Sequence, residues 1–284
     1  MMTMTDRGTD LRADPPQLLN DDQVLRFITH GYHLVEPVLP AEFHVEVCRQ
    51  LEGVGDKQGN RILDAVPMLS DVYNHPAVRG ALTSLLGDGY IMNGHRHLHI
   101  NVPGSHSQTW HQDGTNVRHH QTWCVLGMYY PHDVALEQGP TVILPGTHFR
   151  NAPTERLQTY ANIRGQVPLA VEAGTVAITH YDLWHAASLN RTERPRHMLK
   201  FLFDRKSAPI KPSWSHDPAM AETAAHRRTR EYVVPDYYSS DHYKEWELRT
   251  EMWRWFLGRP QQVPSGGFKD MLASAPLQEA ASPA

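Results

Sequence analysis

The chain has 284 residues, 40% of them hydrophobic and 20% charged, with a formal net charge of −4 at pH 7; it is long enough to bury a sizeable core. The mild negative balance, with no basic stripe interleaved with aromatics, excludes an electrostatic footprint for nucleic acid. Cys48 and Cys124 stand too far apart to suggest a disulfide framework or a Cys-rich zinc site, and no apolar run approaches the roughly 18 residues of a membrane span.

Residues 1–19 are polar, contain Pro15-Pro16 and lack an apolar signal core; they predict a flexible arm on a soluble cytoplasmic protein. Asn20-Asp21-Asp22 can cap a helix with Val24, Phe27 and Ile28 on one face, stopping near Gly31. A strand follows over Tyr32–Val38. Pro40 opens a second helix with Phe43, Val47, Cys48 and Leu51 at helical spacing, and a third runs from Pro76 to Leu86, ending at Gly87.

From Tyr90 to Phe203 the texture changes to short β-type runs between Pro and Gly: Tyr90–Met92, Arg96–Val102, Thr122–Tyr130, Thr141–Leu144, Thr175–Thr179 and His197–Phe203. Short strands without regular helix alternation predict an antiparallel sandwich or jelly roll. The chain turns helical again after Asp217, where Trp246, Thr250, Trp253 and Leu257 share one helical face, a stripe that reads as packing. Residues 261–284, rich in Gly, Ala, Ser, Pro and Gln, read as a loose tail. The expected organisation is one domain over 20–260 with its jelly-roll core at about 90–205.

The chain carries 19 histidines. His111-Gln112-Asp113, with His185 and Arg196 downstream, contains two imidazoles and a carboxylate, the ligand types of a facial triad that binds Fe(II) and leaves other positions open. On an extended strand residues i and i+2 share a side, so His111 and Asp113 converge while Gln112 points away; the third ligand must come from another strand, and His185 follows the one at Thr175–Thr179. A downstream arginine suits an acidic co-substrate, because a guanidinium grips a carboxylate in bidentate fashion. Arg194 has the same strand parity as Arg196 and is the competing choice, although Pro195 confines it to an extended conformation.

The ordered motifs around the triad are W-H-Q-D-G (Trp110–Gly114), E-Q-G-P (Glu137–Pro140), L-P-G-T-H (Leu144–His148), G-T-V-A (Gly174–Ala177), L-W-H (Leu183–His185), Asn190 and Arg196. Over about residues 20–210 the chain thereby resembles the phytanoyl-CoA dioxygenase-like family of Fe(II)/2-oxoglutarate oxygenases. That resemblance implies a double-stranded β-helix, a mainly β jelly-roll (cupin-like) fold with flanking helices. It implies that His111, Asp113 and His185 hold Fe(II), and that Arg196 holds the distal carboxylate of 2-oxoglutarate. It also implies that O2 is consumed and that a small organic substrate is oxidised, most simply by hydroxylation, with release of succinate and CO2. Related halogenases lack the triad carboxylate, so Asp113 favours hydroxylation, desaturation or ring formation over halogenation. Many members place a small hydroxyl residue two positions after the distal histidine; here that position is Ala187, and the hydroxyl follows at Ser188.

On the strand before the motif, His95, His97, His99 and Asn101 alternate with Arg96, Leu98, Ile100 and Val102. The polar set either faces the barrel interior, where His99 and Asn101 could bond the co-substrate's carboxylates, or forms a polar outer face. Gln108, Trp110, Tyr129 and Trp184 are candidate pocket walls, the three aromatics equally suited to the core. His148 reads as a residue holding the L-P-G-T-H turn, and His119-His120 as structural or substrate-rim residues. The alternative function is a non-catalytic jelly-roll protein that binds a metal or ligand; a zinc hydrolase would leave Arg196 unused. Oligomeric state has no signature in the sequence.

Overall fold

Asn20 caps the first helix as its side chain predicts. In the computed structural model its Oδ1 accepts from the Gln23 amide, and Gln23 Oε1 accepts from the Asn20 amide, each at 2.9 Å. This reciprocal pair opens α1 (Asp21–His30), and Gly31 closes it in the left-handed conformation. The structure describes residues 14–114, 118–150, 156–157, 162–220, 224–225 and 240–259. Most of the expected N-terminal arm and all of the expected tail lie outside them.

The strand after α1, β1 (Tyr32–Val35), is shorter than the run to Val38; Pro37 lacks the N–H a ladder needs. Then come α2 (Ala41–Val54), a 3-10 turn (Asp56–Arg61), α3 (Ile62–Ala65), α4 (Leu69–Asn74) and α5 (Pro76–Leu86). The periodicity marks α2 and α5, whereas α3 and α4 are too short to show any. The β region comprises β2 (Ile91–Asn101), β3 (Trp110–His111), β4 (Cys124–Tyr129), β5 (Thr141–Ile143), β6 (Arg156–Leu157), β7 (Val167–Pro168), β8 (Val176–His180), β9 (His185–Ala187) and β10 (Arg196–Asp204). A last helix, α6, spans Ser240–Phe256.

The strands form two antiparallel sheets, ordered β1-β8-β4-β10-β2 and β6-β3-β9-β5-β7. This is the expected jelly-roll class with flanking helices. Two runs read separately, Tyr90–Met92 and Arg96–Val102, are one strand, because β10 pairs along both with an irregularity between Phe201 and Phe203.

Strand parity divides the interior. Along β10, Leu199, Phe201 and Phe203 point into the core shared with the helices, while Met198 joins the core between the sheets. Along β4 and the residue after it, Val125 and Tyr129 face the helices, and Met128 and Tyr130 face the second sheet. Tyr73 of α4 stacks on Phe201 with ring centroids 4.4 Å apart and donates to the Gly127 carbonyl. Burying each such large apolar side chain contributes roughly 1.5–3 kcal/mol.

Segments on either side of the β region close over this layer. The buried Asp21 carboxylate accepts from Trp214 Nε1 at 2.6 Å, His216 Nδ1 at 2.8 Å and the Asp217 amide at 2.9 Å. On α6, Trp253 and Leu257 enter the core as their stripe predicts, joined by Leu248, Met252 and Phe256, while Trp246 stays half-buried. Among the described residues no helix is long and apolar enough to cross a membrane.

Candidate active site

His111 and His185 meet because β3 and β9 pair antiparallel with these two residues directly opposite. His185 therefore does not trail β8, as its sequence position suggests, but opens a strand of the second sheet. Asp113 lies beyond β3, which ends at His111, so a turn rather than strand parity brings its carboxylate round. The donor atoms of His111, Asp113 and His185 all lie within 4.8 Å of one another, with His185 Nε2 3.5 Å from Asp113 Oδ2.

Each imidazole is fixed from behind by a backbone carbonyl: His111 Nδ1 bonds the Thr109 oxygen at 2.8 Å, and His185 Nδ1 the Leu183 oxygen at 3.0 Å. A carbonyl can only accept, so Nδ1 is the donor and Nε2 is the ring nitrogen turned to the site, the arrangement in which a metal would be bound. His185 Nε2 is buried without a hydrogen-bond partner. Burial first, then the charge of Lys200, pushes His185 down to about 4 despite the opposing pull of Asp113. Burial alone would raise Asp113, but His185, Lys200 and His111 hold its carboxyl below the ordinary range. Two imidazoles and one carboxylate with open sides fit a divalent first-row metal.

Gly114 completes the turn. A Cβ there would sit 1.7 Å from Asp182 Oδ1, so the W-H-Q-D-G motif ends in glycine because the buried Asp182 carboxylate lies against its backbone. Asp182 is also within 3.3 Å of His119 Nε2. His148 is buried and bonds the Ile28 carbonyl at 3.1 Å, tying the L-P-G-T-H turn to α1. These histidines serve the scaffold behind the triad.

A cavity of about 220 Å³ opens in front of the triad, lined by His99, Asn101, Gln108, His111, Thr141, His185, Arg196, Met198 and Lys200 among others. Of the polar set on β2, His99 and Asn101 reach this cavity, while His97 bonds Asn60 Oδ1 at 2.7 Å. Arg196 is only 2% exposed and lines this cavity, whereas Arg194 is exposed. Its Nε donates to the Gly139 carbonyl at 3.2 Å, and one terminal nitrogen is buried without a partner. An unmet guanidinium donor facing a cavity costs desolvation until an anion arrives.

Gly139 explains the E-Q-G-P motif. It has φ +68°, and a Cβ would meet Asn101 Nδ2 at 2.3 Å. Asn101 is therefore part of the frame: its amide donates to the Gly139 and Ser188 carbonyls, each at 2.9 Å, and its oxygen accepts from Ser105. Asn190 bonds the carbonyls of Asn101 and Arg194, setting the entry to β10. His99 remains available in the cavity wall; burial and the neighbouring charges of Lys200 and Arg196 push it down to about 3.

Other expectations need correction. Tyr129 is no pocket wall: parity turns it to the helices, where its hydroxyl bonds His44 Nδ1 at 2.7 Å. Trp110 lies on the opposite side of β3 from His111, packed with Val142, Leu144 and Ala186. Ser188 and Trp110 line a neighbouring cavity of about 390 Å³, so Ser188 does not face the space beside Arg196. Trp184 donates from Nε1 to Gln112 Oε1 at 3.1 Å, pinning the residue between the two ligands. Gln108 lines both cavities and accepts from the Ala187 amide.

Lys200 joins the site without any expectation from the sequence. It is 7% exposed, and its Nζ lies 2.5 Å from Asp113 Oδ2. The signal was present: a lysine inside an apolar run, four residues after Arg196 and therefore on the same side of the strand.

A model of the family described as phytanoyl-CoA dioxygenase (PhyH) matches residues 15–198. No curated protein matches by sequence. Among solved structures, HygX from Streptomyces hygroscopicus with iron bound has a TM-score of 0.56 at 14% identity, covering 72% of this chain and 94% of that one. ThoJ, described as a non-heme monooxygenase, has a TM-score of 0.53 at 17% identity over 81% of this chain and 99% of its own. SnoK, described as a non-heme alpha ketoglutarate dependent carbocyclase from nogalamycin biosynthesis, has 0.52 at 18% identity over 67% and 87%. At these identities the likeness is one of fold.

Proposed function

The chain belongs to the phytanoyl-CoA dioxygenase family, and from that premise we propose that it is an Fe(II)/2-oxoglutarate-dependent dioxygenase that hydroxylates a small organic substrate, releasing succinate and CO2. The observation that carries the reading is the convergence of His111, Asp113 and His185 within 4.8 Å beside the buried, incompletely paired Arg196. HygX has been crystallised with nickel and 2-oxoglutarate bound, and with hygromycin B as well, which supports a small-molecule substrate here.

In this reading His111, Asp113 and His185 would hold Fe(II), which when bound would activate O2 at the expense of oxidative decarboxylation of the 2-oxo acid. The residues of the chain do the rest. Arg196 would pair with the distal carboxylate; its Nε bond to Gly139 fixes the guanidinium, and one terminal nitrogen is left without a protein partner. Thr109 and Leu183 hold the imidazoles in register. The wall of His99, Met198 and Thr141 keeps the reacting space small and limits water around the oxidant.

The test is succinate release against a metabolite panel, with anaerobic addition of Fe(II) and 2-oxoglutarate followed by visible absorption. Wild-type protein is expected to show the weak band and substrate-dependent succinate, and His111→Ala neither. Absence of both from the wild type would favour the non-catalytic alternative.

A further inference from the structure

We propose that the substrate of this site carries an anionic group, a carboxylate being the simplest case, and that Lys200 receives it. The inference rests on the oxygenase reading above and adds the chemical class of the substrate.

Lys200 Nζ contacts Asp113 Oδ2, the same oxygen that lies 3.5 Å from His185 Nε2. That oxygen is turned toward the point the triad encloses. An ion held by the triad draws on this oxygen's electron density, so the ammonium loses much of its partner when the metal is loaded. Lys200 is fixed on β10 with its flexible stem inside the protein, opposite His97 of β2. A buried ammonium needs a replacement anion.

The cavity wall does not provide one. Among its described residues the fixed cations are Arg196 and Lys200, and no carboxylate lines it; the Asp113 carboxylate lies against Lys200. His97 lies opposite Lys200 in the β2–β10 register, and His99, Gln108 and Thr141 line the same cavity; none of these four side chains is an anion. Arg196, Lys200 and a divalent ion face one aspartate and a dianionic co-substrate, which leaves a single positive charge uncompensated. The distal carboxylate belongs with Arg196. The remaining charge sits at Lys200, on the wall where His99, His97 and His95 continue along the same face of β2 with ring centroids 6.2 and 4.2 Å apart. A monoanionic substrate entering along this wall neutralises the site.

The experiment uses the full chain loaded anaerobically with Fe(II) and 2-oxoglutarate, reading the visible band. Hexanoate and benzoate are titrated against hexanamide and benzamide, in wild type, Lys200→Met and Lys200→Arg. The expected result is a band perturbation for which each acid has an apparent Kd at least tenfold below that of its amide. Lys200→Met should erase that preference and Lys200→Arg should keep it, with the band itself present in all three proteins. Equal or absent effects of acids and amides overturn the proposal, as does a preference that survives in Lys200→Met. A band lost in Lys200→Met alone also overturns it, assigning Lys200 to the metal or co-substrate instead. A band missing from the wild type is a failure of the oxygenase reading, a distinct outcome.

Discussion

His111 and His185 are register partners across β3 and β9, with ring centroids 4.4 Å apart. Two strands therefore have to pair correctly before two of the three candidate ligands exist as a site. Removing a ligand should then remove the metal rather than the fold. His111→Ala, Asp113→Ala and His185→Ala are each expected to abolish substrate-driven succinate formation while keeping a cooperative thermal transition. Turnover retained by any of them would take that residue out of the iron site.

Arg196→Ala should chiefly raise the 2-oxoglutarate requirement, by roughly 2–5 kcal/mol if its partner carboxylate is left buried and unpaired. Isothermal titration with Zn(II)-loaded protein measures this without turnover. Arg194→Ala, on the exposed loop, should change the affinity little. The reverse pattern would move the carboxylate site to Arg194.

Gly114→Ala places a methyl 1.7 Å from Asp182 Oδ1, and the turn carrying Asp113 has to shift. Overpacking of this kind costs about 1–3 kcal/mol. The expected result is a lower Tm together with Co(II) affinity weakened at least tenfold. Unchanged Co(II) affinity would show that the turn is not held by this contact.

Burial holds His148 well below its ordinary range and His180 at about 4. Both are neutral in the folded state and free to protonate when unfolded. Stability is therefore fully present above the unfolded value near 6.5 and falls as pH drops toward the folded values. Between pH 7 and 5.5 each histidine should cost roughly 1 kcal/mol. Urea unfolding of metal-free protein at these two pH values measures the loss, and a His148→Gln variant should lose less. A pH-independent midpoint would contradict the assignment.

Where a residue's neighbours lie close in sequence or share a strand, the reading was direct. The capping box at Asn20 and the end of α5 at Gly87 follow from local patterns, whereas the alternation on β2 leaves both faces open and Arg194 shares the strand parity of Arg196. Tyr129 and Ser188 are not legible in this way, because an aromatic on a strand or a hydroxyl just past one does not declare which interior face it serves; the pairing of β4 and β9 decides that, while Trp110 both packs in the core and lines the neighbouring cavity. β3, β6, β7 and β9 have two or three residues each and cannot show periodicity. Lys200 was legible by parity with Arg196, but its meaning depends on Asp113, which a turn delivers from elsewhere.

β1 pairs with β8 along Tyr32–Val35, and Asp21 is clasped by Trp214, His216 and Asp217. We therefore propose residues 20–260 as a single folding unit. A jelly roll excised at 90–205 would expose the ladder of β8 to solvent and strip Phe201 and Phe203 of Tyr73. Such a fragment would present a raw sheet edge and a bare apolar face, the two features that drive strand-to-strand aggregation. Its ligand residues would all be present in the polypeptide, yet it should precipitate rather than bind metal. For this protein the helices that never touch the reacting atoms decide whether the chemistry can be carried in solution at all.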